Sequence, residues 1–147
     1  MLNKSSSPTM TNVVANASGG RDTNIGVSNE FSSPVMTNIT ATASGWGAAN
    51  YGVYNYRSSP TIQNSTISGN DGTDNYGIFN DATSGVYTVT VNNSQITGGT
   101  NTIRNDAEFT TLIGASKLEG GGVGGSGAIT CAGVYNEAYV FYASTCP

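Results

Sequence analysis

Asp81 and Asp106 are the residues of this chain best placed to do acid–base chemistry. Each follows the asparagine of a recurring segment, Gly77-Ile78-Phe79-Asn80 and Thr102-Ile103-Arg104-Asn105, so the two carboxylates are 25 residues apart. Two carboxyl groups held close together raise one another's pKa and can cleave a glycosidic bond as an acid and base pair. Little else in the chain offers catalysis. It contains no histidine, which removes imidazole bases, His-dependent triads and His-ligated metals. Asp71 and Asp74 lie in the preceding loop, where they could add a calcium ligand or a second acid. The plain reading of all four is an acidic, solvated corner, because Asn-Asp is ordinary turn chemistry. We expect no catalytic residue, no resident metal and no cofactor.

A second candidate set is aromatic. Trp46, Tyr51, Tyr54, Tyr56, Tyr76 and Phe79 fall within 34 residues of a chain with only 13 aromatics. Tyr51 and Tyr76 are 25 apart, as are Tyr54 and Phe79. Strand alternation around Val53 and Ile78 points Tyr54 and Phe79 outward. An outward strip of rings beside Asn and Asp suits sugar rings or a partner protein. The alternative is that the rings only pack against the loops at 43–50 and 69–75.

These residues share a period, and the period names the element that positions them. Ser6-Ser7-Pro8, Ser32-Ser33-Pro34 and Ser58-Ser59-Pro60 recur at 26 residues. Gly26-Val27-Ser28-Asn29, Gly52-Val53-Tyr54-Asn55 and Gly77-Ile78-Phe79-Asn80 recur at 26 and 25. No helical period is present, and the segments are short, β-branched and broken by Gly, Asn, Asp and Ser. Apolar residues fall in columns: Met10, Met36, Ile62, Val91; Val27, Val53, Ile78, Ile103; Ala15, Ala41, Ile67, Ile96. Coils stacked about 4.8 Å apart turn each column into an apolar rod. Asparagine forms two further columns, Asn12, Asn38, Asn64, Asn93 and Asn29, Asn55, Asn80, Asn105. Asn tolerates left-handed corners, and stacked amides bond along the axis. The reading is an all-β, right-handed, single-stranded parallel β-helix of about five coils over residues 1–118.

The run Ser58 to Asn70, followed by Asn75-Tyr76-Gly77-Ile78-Phe79-Asn80, resembles the parallel β-helix repeat of the pectate-lyase-like superfamily. The likeness covers roughly residues 5–110. It implies the fold and leaves the function open, because that superfamily includes lyases, hydrolases, tailspikes, adhesins and inert surface proteins. Polygalacturonases of this fold use aspartates from adjacent coils. The Arg/Lys and Asp cluster of pectate lyases has no counterpart here.

Past Asn105 the repeat fades into Glu119-Gly120-Gly121-Gly122-Val123-Gly124-Gly125-Ser126-Gly127, which reads as a flexible loop. Residues 119–147 then read as a C-terminal cap. Cys131 and Cys146 both lie in it; we expect a disulfide and an oxidising compartment, with two buried thiols as the other reading. Residues 1–7 offer no comparable cap, so an open first coil is expected to pair with another copy or with further coils. A net charge of −4 gives no basic footprint for nucleic acid, and no apolar run is long enough to insert in a membrane. The expectation is a secreted, non-catalytic structural or adhesive solenoid. It self-associates as a homo-oligomer or fibre and takes a polysaccharide or a partner protein as ligand. A polysaccharide-degrading enzyme using Asp81 and Asp106 is the alternative. An imperfect threonine array (Thr9, Val35, Thr61 beside Thr11, Thr37, Gln63) is too irregular to template ice.

Overall fold

The structure is a computed structural model that describes all 147 residues as strands and connecting turns, with no helix. The first coil is β1 (Leu2–Lys4), β2 (Thr9–Thr11) and β3 (Val14–Ser18). The second is β4 (Thr23–Glu30), β5 (Val35–Thr37) and β6 (Thr40–Ser44). The third is β7 (Ala49–Tyr56), β8 (Thr61–Gln63) and β9 (Thr66–Asn70). The fourth is β10 (Asp74–Asp81), β11 (Tyr87–Asn92) and β12 (Gln95–Gly98). The fifth is β13 (Asn101–Asn105), β14 (Phe109–Gly114) and β15 (Lys117–Gly120). Then come β16 (Gly124–Gly125), β17 (Ala128–Ala132), β18 (Val134–Tyr135) and β19 (Phe141–Tyr142).

Every third strand pairs, which gives three faces. The first runs β1-β4-β7-β10-β13-β16, the second β2-β5-β8-β11-β14-β17 and the third β3-β6-β9-β12-β15-β18-β19. All neighbours are parallel except β18 and β19, which close the third face antiparallel. This is a β-solenoid of about five turns. Its registers are the expected columns: Val27 over Val53, Ile78 and Ile103; Met10 over Met36, Ile62 and Val91; Ala15 over Ala41, Ile67 and Ile96.

These rods form one core cluster, and its layers trade volume. The first two coils set a Met beside an Ala, Met10 with Ala15 and Met36 with Ala41, whereas the third sets Ile62 beside Ile67. Large opposite small and medium opposite medium keep the cross-section nearly constant, which close packing demands.

The recurring Ser-Ser-Pro is structural. Ser58 is buried and its hydroxyl donates to the Asn29 carbonyl at 3.0 Å, while Ser7, Ser33 and Ser59 each accept the backbone N–H of the next coil.

At the C-terminal end the parallel ladders run past residue 118. The glycine-rich run expected as a flexible loop supplies β16, with Gly124 and Gly125 registered on Arg104 and Asn105. Glycine is required there because a Cβ on Gly125, at φ +103°, would overlap the Asn105 carbonyl. β17 then adds Ile129 over Thr111 and Cys131 over Ile113. The Cys131–Cys146 disulfide ties the final segment to the second face, and no free thiol remains. No helix is long and apolar enough to cross a membrane.

Candidate functional site

The first face carries the longest strands, and its outer surface carries the aromatics. In β7 the chain runs Asn50 inward, Tyr51 outward, Gly52 and Val53 both inward, Tyr54 outward, Asn55 inward and Tyr56 outward. A Cβ on Gly52 would strike Ile67 of the third face, so two successive residues face the core and the strand bends between them. That bend, and not simple alternation, puts Tyr51 and Tyr54 on the same outer surface, three residues apart. β10 repeats the pattern in register, with Tyr76 on Tyr51 and Phe79 on Tyr54.

Four rings meet there. Tyr51 stacks on Tyr76 at 5.5 Å between centroids, and Tyr54 on Phe79 at 6.0 Å. Phe79 also lies 5.2 Å from both Tyr51 and Tyr76, so the cluster is continuous. Arg104 on β13 lays its guanidinium over Tyr76 and Phe79, at 6.0 and 5.6 Å from the centroids. The rings cover one another: Tyr76 is 5% exposed, whereas Tyr51, Tyr54 and Phe79 are half-buried. The cluster is therefore a tiled surface, closed at the Tyr76 end and open at the other three rings.

The remaining candidates separate from it. Tyr56 meets Phe31 edge to face at 5.3 Å, and Arg57 lies over both rings. Phe31 and Arg57 had no place in the sequence reading. The signal was there, since they occupy matching corner positions one coil apart, each with a left-handed φ near +50°. Trp46 touches none of these rings. It stands at the turn between β6 and β7 and is 99% exposed.

The acidic residues join the cluster at its edge. The Tyr54 hydroxyl donates to Asp81 Oδ2 at 2.6 Å. Burial, and then this bond to Asp81, push the Tyr54 hydroxyl far above its ordinary value. Burial also raises Tyr51, followed by the neighbouring Tyr76 and Asp74. Asp106 is raised by burial first, then by the adjacent Asp81 carboxyl, with which it shares a hydrogen bond; the Ala82 N–H and Arg104 pull the other way. The structure thus brings Asp81 and Asp106 together, with Tyr54 as a third member. Asp71 and Asp74 lie at the turn before β10, and no group of three or more acidic or sulfur side chains is arranged to hold a metal ion.

The inward side of the same strands holds the amide ladders. Asn29, Asn55, Asn80 and Asn105 are fully buried and linked amide to amide. Asn3 joins below them at 2.9 Å. A third column, Asn24, Asn50 and Asn75, escaped the sequence reading although its steps are 26 and 25 residues. Asn24 donates to Asn50 Oδ1 at 2.8 Å. These amides hold the outer rings from behind.

No family model, curated protein or solved structure matches this chain. The likeness to the pectate-lyase-like superfamily rests on the coil repeat alone, and any function has to come from the surface just described.

Proposed function

We propose that this chain is a non-catalytic, extracellular β-solenoid with a structural or adhesive role, which binds a carbohydrate or a partner protein through the aromatic surface of its first face. The observation that carries this reading is the continuous, outward Tyr51–Tyr54–Phe79 tiling, held on registered strands. Half-exposed rings backed by a rigid sheet lose little conformational freedom on binding, and preorganisation of this kind favours recognition. The Cys131–Cys146 bond supports an oxidising compartment.

Catalysis by Asp81 and Asp106 is the less favoured reading. Carboxyl groups that share a hydrogen bond have oxygens roughly 3 Å apart. Glycoside hydrolysis needs the pair at least about 5 Å apart, so that a sugar or water fits between them. None of the surface depressions is lined by either aspartate.

Self-association is supported by the first coil. Its strands β1, β2 and β3 pair on one side only, and Leu2 and Val14 beside them are 58% and 68% exposed. Such edges favour pairing with another chain.

The test is one set of variants. Tyr51→Ala with Phe79→Ala should weaken retention in polysaccharide-containing native gels, or capture of a protein partner, by about tenfold or more, with the melting transition still cooperative. Asp81→Asn with Asp106→Asn should leave retention intact, and neither form should release reducing ends. Release of reducing ends by the parent, lost in the double Asn variant, would establish the enzyme instead. Light scattering should show concentration-dependent assembly that Leu2→Lys with Val14→Lys abolishes; a strict monomer throughout would remove self-association.

A further inference from the structure

The corner joining the third face to the first carries the chain's single tryptophan. Trp46 sits between Gly45, at φ +122°, and Gly47. This turn is fixed from within and from both neighbouring coils. The Asn50 amide donates to the Gly45 carbonyl at 2.9 Å, and the Thr73 N–H donates to the Gly47 carbonyl at 3.2 Å. On the other side the Ala49 N–H donates to Asp22 at 2.9 Å. The adjacent turns are held alike: Gly20 N–H donates to Asn24 Oδ1, and Gly72 N–H to Asn75 Oδ1, both at 2.8 Å. A fully exposed indole on a loose loop would be unremarkable. Here a side chain with roughly 200 Å² of surface is held out in water by a rigid frame.

Both sides of the indole open onto shallow depressions, of about 340 and 460 Å³. Glycines floor them. One is lined by Gly19, Gly20 and Arg21, and the other by Ser44, Asp71 and Gly72. Arg21 and Asp71 are exposed, and neither side chain makes an ion pair or a hydrogen bond within the chain. The corner thus presents an apolar plate with a free donor on one side and a free acceptor on the other.

We infer that Trp46 is a separate binding platform for neutral hexopyranosyl units of a polysaccharide. The C–H face of a pyranose lies flat on the indole, and its hydroxyl rim accepts from Arg21 and donates to Asp71. An acyl chain or an apolar peptide side chain would cover the ring but leave those two charges desolvated without partners. A polyanionic glycan is opposed by Asp71, Asp22 and Asp74 at the same corner and by the net charge of −4. This inference rests on the reading of the solenoid as a binding element, but it uses none of the first-face rings.

Because Trp46 is the only tryptophan, its fluorescence reports this site alone. The probes are maltohexaose, cellohexaose, mannohexaose and hexa-N-acetylchitohexaose, titrated into the full chain. At least one should move the indole emission to shorter wavelength and saturate. Calorimetry with that probe should show Trp46→Ala weakening binding at least tenfold and Arg21→Ala weakening it severalfold. Tyr51→Ala should keep the emission shift. If no probe moves the emission, the platform is wrong. If a probe binds without an emission change and Tyr51→Ala abolishes that binding, the first-face surface stands and the Trp46 platform falls. An emission shift produced only by phosphatidylcholine vesicles, or only by raising protein concentration, would also overturn it.

Discussion

The two asparagine columns have the same residue, nearly the same period and different physics. In the inner column, Asn29, Asn55, Asn80 and Asn105 have no exposure and pass hydrogen bonds along the axis at 2.8, 2.7 and 2.6 Å. Its direction is set at one end. Asn105 Nδ2 donates to the Ala128 carbonyl at 2.8 Å, and a carbonyl can only accept, so every amide below must donate the same way. In the outer column, Asn12, Asn38, Asn64 and Asn93 are exposed, and only Asn38 reaches a neighbouring amide, at 3.4 Å. What these four share is a left-handed φ between 48° and 57°. In the next coil Ala115 takes that place at φ 45°. One column was selected for its side-chain amides and the other for its backbone. A periodic asparagine therefore marks a place in the coil and leaves its job undecided.

That contrast is broken most directly from inside. Asn55→Leu leaves Asn29 Nδ2 and Asn80 Oδ1 unpaired in the core, each costing about 1–3 kcal/mol. We expect urea unfolding to show a loss of about 4 kcal/mol in all, from the sum of those penalties. A loss below about 1 kcal/mol would mean the inner ladder is no more than filler. The outer column should respond to backbone chemistry instead. Asn64→Val forces a β-branched residue to φ +51° and should cost about 1–2 kcal/mol, while Asn64→Gly should cost about 0.5 kcal/mol or less. If the glycine variant loses as much as Asn55→Leu, the outer amides do more than tolerate a turn.

The coil was legible because its signals are local and repeated. Columns such as Val27, Val53, Ile78 and Ile103 had to face one way, and stacking gave them a shared core. The glycine-rich tail was misread because composition says flexibility, whereas Gly125 is there for close approach to Asn105. The aromatic site was half legible. Register placed Tyr51 over Tyr76 and Tyr54 over Phe79, but only the inward Gly52–Val53 pair explains why all four rings share a surface. The burial of Tyr76 under its neighbours, and the isolation of Trp46 at another corner, depend on side-chain packing across coils that no period encodes.

The column directly after the inner ladder sharpens the comparison, because there the stacked groups repel. Asp106 shares a hydrogen bond with Asp81, and its pKa stands above the ordinary 3.8, through burial and then through Asp81. The folded chain therefore holds this proton more tightly than the unfolded chain does. The Asp106 contribution is largest in acid, below the unfolded value, and is lost as pH rises through the folded value. Asp106→Asn supplies a permanent donor to Asp81 and removes the repulsion, so it should raise the melting temperature at pH 7 and little or not at all at pH 3. The group is partly exposed, so solvent screening keeps the gain to about 0.5 kcal/mol or less. Melting curves of the parent and the variant should diverge as pH rises above about 4, near the unfolded Asp value. Equal shifts at every pH would mean the Asp81–Asp106 contact is not electrostatic. An amide would then behave in this outer column as it does in the exposed asparagine column, indifferent to the residue stacked beside it.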